Sequence, residues 1–266
     1  MKKFVSVLAV CLLVVCFAFA LTACNKNKET VEEYSLSETE LKTVLSTLQG
    51  DFSNNTQSYV NTVRTVSPAE GGNEIYEGKA YVVNTTTSTS SKRDFFWDYN
   101  VTTADGEVTR YIKFNSNEEF YGCLTFADNS ETYTASLGCT SAVNKDQFIG
   151  INALKEQSKV NEAITKLGNI DNYTFSEVAC KDYKKGDTVY KTEYSFKYDD
   201  GALEGTPTRG TMTVTAENGK LTGITYSENG YTNTTTMGST FDNPLDDTDT
   251  YPTDIFEWNR KYPVKK

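Results

Sequence analysis

The chain has 266 residues, with 36 acidic and 26 basic side chains, no histidine and a formal net charge of −10. This acidic balance excludes nucleic acid as a partner, because the phosphate backbone would be repelled. The lack of histidine excludes HExxH zinc sites, Ser-His-Asp triads and Cys-His dyads. No other catalytic or phosphate-binding motif stands out, so we expect no enzyme, no cofactor and no metal.

Residues 1–23 have the organisation of a secretory signal peptide, with two lysines ahead of an apolar run. The segment that follows the run, Leu21-Thr22-Ala23-Cys24, resembles the bacterial lipobox. The resemblance implies a lipoprotein whose Cys24 is acylated and becomes the first residue of the mature chain. We therefore expect a protein anchored by lipid to the cell membrane, on the side outside the cytoplasm. Residues 24–35 are polar and are predicted to form a tether.

Two helices are predicted from the apolar period of 3.6 residues. The first begins at Ser37, whose capping-box partner would be Glu40, and carries an apolar stripe that ends at Phe52. The second lies within residues 145–169, where an apolar stripe runs from Val160 to Leu167. Both helices are expected to pack on a sheet.

Strands dominate the remainder, because 17 tyrosines and 14 phenylalanines accompany only 5 prolines. Runs of alternating apolar residues are joined by turn dipeptides at Asp105-Gly106, Asn218-Gly219 and Asn229-Gly230. The pattern is typical of an antiparallel meander and argues against a parallel α/β sheet. The Thr-rich segments 84–91 and 233–240 are expected to be solvent-facing strand.

Aromatic side chains alternate with polar ones in several of these strands, as in TVYKTEYSFKY. We expect the aromatic faces to line one concave side, where they form either a plain core or a partly open cavity for a hydrophobic ligand. The predicted lining consists of Phe95, Trp97, Tyr99, Ile112, Phe114, Phe120, Leu124, Tyr194 and Phe196.

Three cysteines remain in the body of the chain, Cys123, Cys139 and Cys180. Their number is odd, so they form at most one disulfide, or stay as three free thiols. The acidic cluster between Asp242 and Asp254 lacks the EF-hand spacing. We expect it to be a solvated loop.

The order of these features resembles the LolA/LppX-type lipoproteins. The resemblance covers most of residues 36–241, with LSTLQGDF ending at Phe52 and YEGKAYVV at 76–83 as matching pieces. It implies an α+β fold, mainly antiparallel β, in which a curved half-barrel sheet packs around an N-terminal and a mid-chain helix. Residues 36–266 would then be a single β-rich domain. The alternative is two tandem helix-plus-meander halves, 36–140 and 145–240.

Two functions fit this architecture. The first is a membrane-anchored, non-catalytic binding module for a lipid or another hydrophobic ligand. The second is a protein-interaction or structural lipoprotein of the cell envelope with a closed core. Burial of an acyl chain at roughly 25 cal/mol per Å² would suffice to drive the first.

Overall fold

The computed structural model describes residues 28–66, 75–86, 91–116, 120–127, 133–139, 162–201 and 208–252, and positions 257, 260 and 261. The signal peptide, Cys24 and Asp254 lie outside these residues, and so does the part of the second predicted helix before residue 162. Side chains are described for fewer positions still, and those of β6 and β7 are not among them.

The described strands form one antiparallel sheet in the order β1-β8-β9-β10-β11-β12-β2-β3-β4-β5-β6-β7. The sheet is open and curved, and its two edges are β1 and β7. The predicted α+β class, dominated by antiparallel strands, is confirmed. The strands are β1 (Glu29–Tyr34), β2 (Gln57–Val66), β3 (Ile75–Thr86), β4 (Ser91–Thr102), β5 (Val108–Ser116), β6 (Phe120–Ala127), β7 (Tyr133–Cys139), β8 (Thr174–Lys185), β9 (Thr188–Asp199), β10 (Arg209–Glu217), β11 (Lys220–Glu228) and β12 (Tyr231–Gly238).

The pairing of β12 with β2 joins two meanders, β2 to β7 and β8 to β12, into a single sheet. Thr235 pairs with Thr62 and Met237 with Val60 along this central seam. The two predicted halves, 36–140 and 145–240, thus share a continuous hydrogen-bonded ladder. The division of the chain into one domain or two tandem halves stays a prediction.

The three predicted hairpin turns are confirmed. Backbone φ is 83° at Gly106, 49° at Asn218 and 47° at Asn229, and a glycine follows each asparagine. Glycine and asparagine adopt positive φ at little cost, which is why these dipeptides reverse the chain here.

Helix α1 (Glu38–Ser53) begins as predicted. The Ser37 side chain accepts a hydrogen bond from the Glu40 backbone N–H, and the Glu40 carboxylate accepts one from the Ser37 N–H. Its apolar stripe is buried against β8 and β11. A second helix, at residues 162–168, buries Ala163 and Leu167 in the same hydrophobic core, as the predicted stripe requires.

The segment predicted as a polar tether contributes a strand to the sheet. Residues Glu29–Tyr34 form β1 and pair with β8. Glu33 lies 2.8 Å from Lys181, and Glu32 forms an ion pair with Lys184. Opposite charges on neighbouring strands stabilise pairing even where little apolar surface is buried, so a polar composition did not indicate a free linker here. Any tether is thereby shortened to the residues before Glu29.

The sheet has an inner face, which carries α1, the second helix and the hydrophobic core, and an outer face opposite. The inner residues of β9 to β12 and of β2 to β4 contribute side chains to one continuous core cluster. The Thr-rich strand β12 takes part, because Asn233 and Thr235 are fully buried while the alternate residues Thr232, Thr234 and Thr236 are exposed. The prediction of a solvent-facing strand was therefore wrong for alternate residues of β12.

Candidate functional site

Five of the nine predicted lining residues lie on the inner face. Phe95, Trp97, Tyr99 and Phe196 are buried members of the hydrophobic core, and Tyr194 is half-buried against it. The alternation of aromatic and charged residues in β9 correctly predicted the facing of Tyr194 and Phe196.

Ile112 and Phe114 lie on the outer face, which corrects their predicted place in a single lining. Paired residues of antiparallel strands point to the same side, and Phe114 pairs with Phe96 whereas Trp97 pairs with Lys113. For Phe120 and Leu124 only the backbone pairing is described. Leu124 pairs with Ile112, and Phe120 pairs with Ser116.

An aromatic row crosses the outer face from β2 to β5. Tyr59 pairs with Tyr81, Tyr81 with Phe96, and Phe96 with Phe114. The segment after β12 covers this row, since the ring of Phe241 lies 5.0 Å from that of Tyr81. Tyr251 lies 4.8 Å from Phe96 and 5.7 Å from Phe114, measured between ring centroids. This cover accounts for the burial of Phe114, which is 1% exposed.

The inner aromatic residues of β4 and β5 form two stacked pairs. The rings of Phe95 and Trp97 are 4.0 Å apart at an interplanar angle of 15°, and those of Tyr99 and Tyr111 are 4.9 Å apart at 15°. We call these four residues the aromatic floor. Helix α1 packs on β8 and β11, on the other side of the central seam. The floor therefore occupies the half of the inner face away from α1.

Glycine at position 78 permits β3 to lie close to Tyr99, which belongs to the floor. Gly78 pairs with Tyr99, and a Cβ atom built at Gly78 would lie 2.4 Å from the Tyr99 Cβ. No real side chain tolerates that separation, so the absence of a Cβ makes room for Tyr99.

The floor contains a buried hydrogen-bond donor that is unused within the described residues. Trp97 is 6% exposed, and its indole Nε1–H has no hydrogen-bond partner in the described part of the chain. An unsatisfied buried donor costs roughly 1–3 kcal/mol. Such a group calls for an explanation, and an acceptor oxygen supplied from outside the chain is one.

A surface hollow of about 600 Å³ opens at the end of the sheet near the C-terminus of α1. Phe52, Leu221 and Met237, which belong to the inner-face core, form part of its lining. From Met237 a row of paired inner residues runs through Val60 and Ala80 to Trp97. Met237 and Trp97 thus lie three strands apart on the inner face, about 14 Å at the usual strand spacing, with the buried Val60 and Ala80 between them.

A cluster of buried charges lies on the inner face on the β11, β12 and β2 side of the floor. Glu228 accepts hydrogen bonds from Lys166 at 2.5 Å, from the Tyr198 hydroxyl at 2.6 Å and from the Tyr231 hydroxyl at 3.2 Å. Both carboxylate oxygens of Glu228 are used. This half of the cluster is satisfied and ties the second helix to the sheet.

The other half of the cluster keeps unused hydrogen-bonding capacity. The Arg64 guanidinium stacks 3.9 Å above the Tyr231 ring, and its Nη1 lies 3.3 Å from Glu162 Oε2 without the alignment of a hydrogen bond. Glu162 Oε1 accepts a hydrogen bond from the Tyr231 hydroxyl at 3.1 Å. Three buried atoms make no hydrogen bond within the described residues, namely Arg64 Nε, Glu162 Oε2 and the Tyr226 hydroxyl oxygen. Tyr226 and Arg64 are 1% and 8% exposed.

Burial raises the pKa values of three tyrosines in this cluster. For Tyr198 the second cause is its hydrogen bond to Glu228, and for Tyr226 and Tyr231 it is the negative charge of Glu162. All three hydroxyls therefore stay protonated at neutral pH and act as uncharged hydrogen-bonding groups.

The charged cluster was not predicted from the sequence, although the sequence contains a signal for it. Arg64 shares its side of β2 with Val60, and Glu228 shares its side of β11 with Ile224 and Tyr226. A charged residue in phase with an apolar row is unusual, because an unpaired buried charge is costly. Glu162 and Lys166 lie four residues apart on the second helix and so reach the same surface.

Among the described residues, no group of three or more potential metal ligands comes together. Within the same residues no helix has both the length and the apolar character needed to cross a membrane. Cys180 is a buried free thiol, and burial raises its pKa. The side chains of Cys123 and Cys139 are not described.

Comparison with known proteins adds one weak structural similarity. No protein-family model and no curated protein matches the chain. Among solved structures, the crystal structure of a DUF1329 family protein from Desulfovibrio piger is similar in outline. It is 13% identical, with a TM-score of 0.31, over 80% of this chain and 97% of that one. A likeness of this strength carries no argument about function, which has to come from the residues of this chain.

Proposed function

We propose that this protein is a lipid-anchored binding module, outside the cytoplasm, for a lipid or another hydrophobic ligand that packs on the aromatic floor. The observation that carries the proposal is the stacked floor of Phe95, Trp97, Tyr99 and Tyr111 on the half of the inner face away from α1. The inner-face row from Trp97 to Met237 leads from this floor to the edge of the open hollow, whose volume is within the range of ligand sites.

The side chains of the aromatic floor favour an amphipathic ligand over a pure hydrocarbon. Aromatic rings bury large apolar areas, which drives binding of an acyl chain without a cofactor. The unpaired indole N–H of Trp97 gains a partner if the ligand brings an oxygen atom near the floor.

A closed core is the second candidate, and it corresponds to a structural or protein-interaction lipoprotein. Burial favours it, because Phe95, Trp97 and Tyr99 are at most 8% exposed. Under this hypothesis the floor is ordinary core packing, and a ligand finds no space between the sheet and the elements that cover it.

Native mass spectrometry of protein purified without detergent separates the two candidates. We expect a co-purifying lipid adduct, and an increase in melting temperature when fatty acids are added to delipidated protein. Trp97→Ala should weaken both effects. Phe96→Ala is the matched control, because it truncates a buried neighbour on the outer face and should lower stability without reducing the adduct. If wild-type protein shows neither adduct nor thermal shift, the binding function is refuted and the closed core stands.

The anchor has a separate test. Cys24→Ala in the full-length chain should release the protein from the membrane fraction, because two or more acyl chains on one residue are needed for stable attachment. Metabolic labelling with palmitate should mark the wild-type chain and not the variant. Retention of the unlabelled variant in membranes would contradict acylation at Cys24.

A further inference from the structure

We propose that the end of the sheet at which the hollow opens faces the membrane, so that the hollow meets the lipid surface directly. We call this end the anchor-side rim. It consists of the start of β1, the β8–β9 turn (184–189) and the β10–β11 turn (217–220). The inference rests on acylation of Cys24, which belongs to the proposed function, and goes beyond that function by naming the part of the body that contacts lipid.

Strand pairing places the start of β1 and the hollow at the same end of the sheet. Glu29, the first residue of β1, pairs with Lys185 at the β8–β9 turn. On the neighbouring hairpin, Glu217 pairs with both Lys191 and Lys220. Glu217 and Lys220 also line the hollow. The start of β1 and the mouth of the hollow therefore share one rim, and three strand spacings, about 14 Å, separate β1 from β10 across it.

The short chain between Cys24 and β1 limits how the body can stand on a membrane. Glu29 comes five residues after Cys24, and an extended chain of that length spans at most about 18 Å. With the acyl chains of Cys24 in the bilayer, Glu29 lies within that distance of the headgroups. The 12-residue strand β9 places the opposite end of the sheet roughly 37 Å from the rim. An inverted orientation, with the opposite end on the membrane, is therefore beyond the reach of the tether.

The composition of the rim allows contact with a lipid surface. The β8–β9 and β10–β11 turns together carry three lysines and two acidic residues, although the whole chain has a net charge of −10. Val31 and Val189 are 54% and 38% exposed beside these lysines. Exposed apolar side chains next to lysines are typical of surfaces that lie at a membrane interface.

The opposite end of the sheet has a less suitable charge. Its described residues include Asp105 and Glu107 in the β4–β5 turn, and Asp199 and Asp200 after β9. Anionic lipid headgroups repel such an acidic surface. Charge and tether length thus favour the same orientation.

The hollow itself suits a position against the bilayer. Residues of the β10–β11 turn surround its mouth, and Phe52, Leu221 and Met237 supply apolar surface below. With the mouth on the membrane, a lipid can pass its acyl chain to this apolar surface without exposing the chain to water, which lowers the cost of transfer.

Lysine acetylation footprinting of the acylated protein on vesicles tests the orientation. The vesicles contain equal parts of phosphatidylcholine and phosphatidylglycerol. The soluble reference is a chain of residues 25–266, which lacks the acylated residue and keeps every described one. Lys185, Lys220 and Lys197 are all exposed. We expect Lys185 and Lys220, on the rim, to react severalfold more slowly on vesicles than in the reference, and Lys197, near the opposite end, to react equally in both.

Two substitutions of the same kind locate the contact. Val189→Glu adds a negative charge to the rim and should shift the balance between docked and undocked rim roughly fivefold towards undocked, as for one charge near an anionic surface. Val63→Glu is the matched control, because Val63 is 36% exposed on the outer face of β2, away from the rim. It should leave the footprint unchanged.

The possible outcomes separate the orientation from the anchor. If the protein sediments with the vesicles but Lys185 and Lys220 stay as reactive as in the reference, or Lys197 is protected equally, the orientation is overturned while the anchor stands. An unchanged footprint in Val189→Glu overturns the contact at the rim in the same way. If the wild-type protein does not sediment with the vesicles, the anchor and the orientation fall together.

Discussion

The hydroxyl of Tyr198 donates a 2.6 Å hydrogen bond to the carboxylate of Glu228. Tyr226 lies in the same buried cluster, yet its hydroxyl has no partner among the described residues. The pair offers a matched comparison, because the same change of tyrosine to phenylalanine removes a used hydroxyl in one case and an unused one in the other.

We expect Tyr198→Phe to lower the free energy of unfolding by about 1.5–3 kcal/mol, as for a hydrogen bond to a charged group. Tyr226→Phe should change it by less than about 0.5 kcal/mol, or raise it, since an unsatisfied buried hydroxyl is removed. Urea denaturation of the two variants and the wild type measures both values. A larger loss for Tyr226→Phe would contradict the hydrogen-bond assignment.

Stability should fall as the pH rises above the ordinary tyrosine pKa of 10.0. The folded state raises the pKa values of Tyr198 and Tyr226, so it keeps these protons while the unfolded chain has begun to lose them. The contribution to stability is therefore complete below pH 10 and is lost progressively above it. Denaturation midpoints measured across the alkaline range should show this decline, and Tyr226→Phe should show a shallower one. If stability declined equally steeply with pH in Tyr226→Phe and in the wild type, the contribution assigned to Tyr226 would be contradicted.

Gly78→Ala should destabilise the protein by about 1–3 kcal/mol, the usual cost of overpacking. Its Cβ would meet the Tyr99 Cβ at 2.4 Å, so β3 and β4 would have to separate locally. Gly50→Ala is the control, because a Cβ there meets nothing within 4 Å. In helix α1 that change should stabilise by about 0.5–1 kcal/mol. Thermal denaturation of both variants measures the change in stability, which should be a loss for Gly78→Ala and a gain for Gly50→Ala.

Ser37→Ala should cost about 1 kcal/mol through loss of the capping box at the start of α1. The side chain satisfies the Glu40 N–H, which otherwise has no intrahelical partner. Thr43→Ala serves as control, since the Thr43 hydroxyl donates to the Thr39 carbonyl within the helix and its loss should change stability by less than about 0.5 kcal/mol. Equal losses in the two variants would show that the cap contributes nothing specific.

The fold could be predicted from the sequence because local signals agreed with each other. Asparagine and glycine at positions 218, 219, 229 and 230 fixed two turns, and Ser37 with Glu40 fixed a helix start. The facing of β9 followed from a simple contrast between aromatic and charged sides. Each of these features depends on residues a few positions apart.

The division of the lining between two faces could not be predicted, because it depends on register. Phe95, Phe96 and Trp97 are consecutive apolar residues, so β4 has no single apolar side. Thr102 pairs with Val108 across the turn, and this pairing places Phe114 opposite Phe96. A loop with one residue fewer would exchange the faces of β5.

The charged cluster was equally hidden, because its members are distant in the sequence. Arg64, Glu162 and Glu228 come from three segments that meet only when the sheet is complete. In the sequence, each of them is an isolated charged residue at a position where the periodicity calls for an apolar one. Only the pairing of β12 with β2 reveals that these residues are neighbours.

That pairing has a consequence for how the chain reaches its folded state. The Thr62 and Thr235 hydroxyls that meet across the seam are 173 residues apart. Until β12 is available, β2 and β11 both present open edges that can pair with another molecule. Closure of so distant a contact is slow, so folding intermediates should be vulnerable to aggregation. A chain cut before Tyr231 would keep both edges exposed permanently.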